Sequence, residues 1–214
     1  VYKRQDKKLN NLDFSEKLSK NDDFKLVFLL FYGSLVYHIS ELMKVKGFES
    51  PRNIIFSGTG SKTLQIIDQD TNKYATVKKL FQAIFNNVLD EENSNITIKL
   101  DQNPKEVTCK GGFYIDKELE ELDHKELVEV NIGNYKKLNV QSISKVTNDT
   151  IKYKDLTNSY LDGVIENVEN FYKLFNRLTA ELNFKDIFGV SNKSIKVFQK
   201  IKSLDLLDYQ LQGL

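Results

Sequence analysis

The chain has one cysteine, two histidines, two prolines and only three arginines among its 214 residues. The lone Cys109 excludes an internal disulfide and fits a reducing compartment. His38 and His124 lie far apart, so no Cys/His spacing suits zinc and no Ser/His/Asp or Cys/His nucleophile arrangement can be built. Arg4, Arg52 and Arg177 are the only guanidinium groups among 31 basic residues. Bidentate reading of phosphate or guanine leans on arginine, and a net charge of +1 gives no global pull towards nucleic acid or anionic lipid. Neither nucleic acid nor membrane is an expected partner. The longest apolar run, LVFLLFYGSLVYHI from Leu26 to Ile39, is too short and too interrupted for a bilayer span. It reads instead as a helix buried on most sides. No signal-peptide pattern opens the chain. It begins on Val1 in a charged lead, as expected of a piece of a longer, cytoplasmic protein.

What is present is ordinary for a globular protein: 40% hydrophobic and 29% charged residues, long enough for one large domain or two small ones. Residues 1–23 are polar with scattered Leu and Phe and read as a short helix or connecting arm. NDDFKLVFLLFYGSLVYHISELMKVKG predicts a long helix, with Asn21 or Asp22 as cap and Lys44, Lys46 and Gly47 as its stop. After Pro51, NIIFS predicts a short strand buried on both faces. GTGS is a turn and KTLQIIDQ starts a helix. In KYATVKKLFQAIFNNVL, Tyr74, Val77, Leu80, Phe81, Ile84, Phe85 and Val88 recur at helical spacing. ITIKL predicts a second strand and KEVTCKGGFYI a helix. LVEVNIG and KLNVQSISKV predict an antiparallel hairpin. DLTNSYLDGVIENVENFYKLFNRLTAEL is the clearest amphipathic helix, and the tail supplies one or two shorter ones. Cys109 reads as a small buried apolar residue, His38 as a partly buried polar contact and His124 as solvated. The acidic stretches read as exposed faces.

The stretch RNIIFSGTGSKT, residues 52–63, is built like a phosphate loop: strand, glycine turn, helix. It is not a Walker loop. Aligned on Lys62 and Thr63, the required glycines fall on Ser61 and Phe56. The dinucleotide pattern also fails, because Thr63 stands where its third glycine belongs. An ordinary strand-to-helix turn remains the alternative for Gly58, Thr59 and Gly60 taken alone.

NIIFSGTGSKTLQII resembles the second-half nucleotide loop of the actin/DnaK-chaperone/sugar-kinase superfamily. NPKEVTCKGGFYI resembles that family's chaperone segment N-P-D-E-A-V-A-x-G-A-A, with Asn103, Pro104, Glu106 and Gly111 matching directly. The two motifs stand in the family's order over residues 24–116. The resemblance implies an α/β fold: an actin-like (ribonuclease H-like) ATPase C-terminal subdomain at 24–116, with an accessory β-hairpin and helical region at 117–214. It implies that Gly58, Thr59, Gly60, Ser61 and Lys62 face the adenosine side of a cleft for ATP or ADP with Mg. Thr59 replaces the family's middle glycine, Lys62 its arginine and Leu64 its proline. Lysine lacks the planar face that stacks on adenine. The family's two D-x-G phosphate turns, which hold the magnesium, are absent, so this chain alone is expected to be inactive. The resemblance leaves chaperone, filament protein and kinase open as parents, with chaperone preferred on the Asn103 segment, and a protein partner or client expected. A non-catalytic interaction module on a degenerate fold is the rival reading.

Overall fold

The computed structural model describes residues 14–70, 72–101 and 158–201. The fold is mixed: mostly helical, with a small parallel sheet of two strands. The chain divides into two compact units, residues 1–105 with 175–214, and residues 106–174. The predicted helix at 105–115, the predicted hairpin, Cys109 and His124 lie outside the described residues.

A short helix, α1 (Phe14–Ser19), precedes the long α2 (Asp22–Lys46). The start of α2 is set by Asn21, whose Oδ1 accepts the N–H groups of Asp23 and Phe24 at 3.0 and 3.1 Å. Asp22 and Asp23 in the first turn and Lys44 and Lys46 in the last complement the helix dipole. Gly47 ends the helix in the left-handed region at φ 71°, where its N–H reaches Lys44 O and that of Phe48 reaches Met43 O.

Strand β1 (Asn53–Phe56) leads into a 3-10 turn (Thr59–Thr63), the one-turn α3 (Leu64–Ile67) and α4 (Ala75–Leu89), and the chain returns in β2 (Thr97–Leu100). The strands run parallel in the register Asn53↔Thr97 to Phe56↔Leu100, so this is a β–helix–β crossover. The seven apolar residues read at helical spacing, Tyr74 to Val88, are all buried. They pack α4 against α2, which contributes Leu29, Tyr32 and Val36. An aromatic relay ties the layers together: Tyr32 meets Phe56 edge-on at 5.7 Å, and Phe56 lies 6.1 Å from Phe81.

The amphipathic helix appears as α5 (Asn158–Glu181), and the tail supplies α6 (Phe184–Phe188) and α7 (Asn192–Ile201). From Phe175 onward these residues belong to the same unit as α2 and α4. Phe175 packs edge-on against Phe184 and Phe198, each at 5.4 Å. Ser191 N–H and Ser194 Oγ–H donate to Asp22 and Asp23, fastening α7 to the start of α2. Arg177 bonds Asn87 of α4.

Four expectations need correction. Helix α2 is not buried on most sides: Phe24, Val27, Phe31, Leu35 and Ile39 are 40–58% exposed along one stripe, because its neighbours lie on the opposite face. His38 stands exposed rather than partly buried, beside that stripe. Strand β1 is covered on one face only, which leaves Ile55 66% exposed. The 14-residue apolar run also understated the helix. By length and composition Asp22–Lys44 is long enough to cross a membrane, a test that core helices pass too. Leu26, Leu29, Tyr32, Val36 and Ser40 turn one side of it into the protein.

Tyr37, on α2, carries a pH signature. Burial first, then the charge of Glu41 and a hydrogen bond to it, push its phenol from 10.0 up to about 12. A folded state that holds this proton is stabilised fully below the unfolded value of 10.0 and loses that stabilisation as pH rises through about 12. Urea denaturation across this window is expected to show a steeper loss for the native chain than for Tyr37→Phe. Equal slopes would contradict the assignment.

Candidate functional site

Strand β1 ends at Phe56, and its partner strand ends beside it: Asp101 N–H donates to Phe56 O at 2.9 Å. The Gly58–Lys62 turn therefore leaves from the carboxyl edge of a parallel sheet, where open α/β sheets bind ligands. Gly58 takes φ 84°, ψ 154°, a region that is essentially closed to residues with a side chain. The chain could not leave the strand in this direction with another residue there. A Cβ built on Gly58 or Gly60 meets nothing within 4 Å, so the backbone at both positions faces open space.

The turn is held by its own groups. Ser61 N–H and Oγ–H both donate to Gly58 O, at 3.1 and 2.6 Å. Thr63 Oγ1 donates to Gly60 O at 2.7 Å and also shares a hydrogen bond of 2.8 Å with Tyr32 Oη. Burial raises the Tyr32 phenol and the Thr63 bond partly offsets it. The turn is thus anchored to α2 through a neutral hydroxyl pair. Ser61 is buried and committed to this scaffold, whereas Lys62 is exposed. Of the five residues read as the loop, the glycines present open backbone, Ser61 braces the turn and Lys62 stands at its surface.

The helix expected after the turn is present but short. A phosphate loop uses a helix whose amino end points amides and partial positive charge at the phosphate. The helix that follows, α3, has only four residues. It ends at Asp68 because that residue leaves the helical region at φ −135° and turns its carboxylate to the start of α4. Macrodipole support at this turn is correspondingly small.

Sequence reasoning missed a second feature, at the opposite end of the sheet. There an open polar cleft of about 520 Å³ is lined by Ser50, Arg52, Glu91 and Ser94 among others. Ser50 N–H and Oγ–H donate to the two oxygens of Glu91, at 2.8 and 2.6 Å, joining the loop before β1 to the loop after α4. The carboxylate is spent on that brace. No residue of the Gly58–Lys62 turn lines this cleft. Among the described residues no group of three or more His, Cys, Asp or Glu stands together as a metal site.

Comparison with family models, with curated proteins and with solved structures finds no match to this chain.

Proposed function

We propose that this chain supplies the adenosine side of an ATP cleft, as the C-terminal half of an actin-like (ribonuclease H-like) nucleotide-binding domain in a cytoplasmic, chaperone-like ATPase with a protein client. The observation that carries the reading is the glycine turn at the carboxyl edge of β1, with the backbone of Gly58 and Gly60 facing open space. Glycine there lets a nucleotide approach the main chain. The helix–strand–glycine turn–helix–strand order over α2 to β2 agrees with it. Phosphate and Mg would be held by groups outside this chain, so binding, not turnover, is the property to measure.

The test is thermal unfolding with Mg–ATP. A ligand that binds only the folded state raises stability by about 2.7 kcal/mol at a hundredfold excess over its Kd. Stabilisation by ATP is expected, with loss in Gly60→Val, whose Cβ points into open space beyond its own turn and its chain neighbours. Absence of any shift at saturating Mg–ATP would sink the nucleotide reading. Binding gained in Thr59→Gly/Lys62→Arg would identify a degenerate site.

A second reading, a non-catalytic interaction module, is favoured by the exposed stripe of Phe24, Val27, Phe31, Leu35 and Ile39 on α2. It leads if ATP leaves the native chain unchanged.

A further inference from the structure

Among the described residues, strand β1 has one edge paired and one open. Thr97 N–H donates to Arg52 O and Asp101 N–H to Phe56 O. Even-numbered residues of β1 therefore turn their backbone groups to β2, and Asn53, Ile55 and Ser57 turn theirs outward. Among the described residues no hydrogen bond reaches those outward groups. Natural sheets blunt an open edge with charge, proline or a bulge. Neither charge nor proline occurs from Asn53 to Ser57, whereas the exposed face of β2 carries Lys99. A parallel pair is also smaller than sheets usually are.

We propose that β1 pairs with β1 of a second copy of this chain, antiparallel about a twofold axis through Ile55. The sequence at this edge is self-complementary in that register. Ile55 falls opposite itself and Asn53 opposite Ser57. All are outward-facing positions, so each pair exchanges both of its N–H···O=C bonds. Apolar meets apolar at the axis, polar meets polar beside it, and on the covered face Ile54 falls opposite Phe56. No like charges oppose each other. Shifting the register to the next outward position sets Ile55 against Asn53 or Ser57 and loses the apolar pair. Such an interface is isologous and closed, so it stops at a dimer. The merged sheet reaches about four strands, the usual size. This inference rests on the sheet edge and is independent of nucleotide binding.

The experiment is light scattering on the 214-residue chain across a concentration series, with and without Mg–ATP. The expected mass approaches twice 24.8 kDa as concentration rises. Ile55→Lys, which opposes two cations at the axis, is expected to return the monomer, and so is Ile55→Glu. An equimolar mixture of the two variants is expected to restore the dimer, which a folding defect cannot do. Unchanged circular dichroism and melting in each variant complete the case. A chain that stays monomeric at its highest soluble concentration would overturn the proposal. So would a dimer that survives Ile55→Lys, or one abolished by Phe31→Glu on α2 while Ile55→Lys leaves it intact.

Discussion

Phe81→Ala is expected to destabilise the chain by about 3–5 kcal/mol, a large share of the 5–15 kcal/mol that typically holds a domain folded. Phe81 is fully buried, as are Leu80 and Ile84 beside it on α4. Its ring lies 6.1 Å from Phe56 on β1, and Phe56 lies 5.7 Å from Tyr32 on α2. It therefore sits where helix, strand and helix meet. Truncation removes apolar burial and leaves a cavity that three regular elements cannot collapse to fill. Urea unfolding is expected to show a lower midpoint with little change in slope, since the surface exposed on unfolding stays similar. Val27→Ala is the contrast. Val27 is 58% exposed on the same packed helix pair, and its loss is expected to stay within about 0.5 kcal/mol. Equal losses at both sites would contradict this account of the core.

What could be read from the chain in advance follows from how local each signal is. The period of α4 was legible because its apolar residues, Val77 to Val88, all face one core. The ends of α2 were legible because Asn21 and Gly47 act on backbone groups within a turn of themselves. Exposure was not legible. The apolar run in α2 and the strand NIIF look the same in sequence whether one side or two sides are covered, and covering depends on neighbours far along the chain. At the glycine turn, the choice of Gly58 was legible from the need to leave a strand sharply. The commitment of Thr63 was not, because it is fixed in part by Tyr32, 31 residues earlier. The order of motifs suggests a nucleotide loop, while the one-turn helix behind it weakens the dipole that such loops use.

Asp68→Ala carries the second large expected effect, about 2–3 kcal/mol, from a residue that no sequence pattern marked. Helix α4 begins after Tyr74, which sits at φ 44° and offers no side-chain cap. Its first N–H groups need another acceptor. Asp68 provides one from before the intervening loop: Oδ2 accepts Thr76 N–H at 2.7 Å and Val77 N–H at 3.2 Å, and Oδ1 accepts Asp70 N–H at 2.9 Å. Asp68 is only 4% exposed, so water cannot readily take over when it is removed, and buried amides left without an acceptor are costly. Its negative charge also lies at the positive end of a helix long enough to have one. Asp68→Asn keeps an acceptor but loses the charge, so a smaller loss, about 1 kcal/mol, is expected. Asp70→Ala is the control: among the described residues Asp70 Oδ1 accepts only the exposed Asn72 N–H, and its loss is expected to fall within about 0.5 kcal/mol. Amide exchange separates a local from a global effect. In Asp68→Ala the Thr76 and Val77 amides are expected to exchange faster, while Ile84 and Phe85 change only as far as global stability falls. Uniform acceleration along α4, or an Asp70→Ala loss as large as that of Asp68→Ala, would show that the cap is not what holds this helix start.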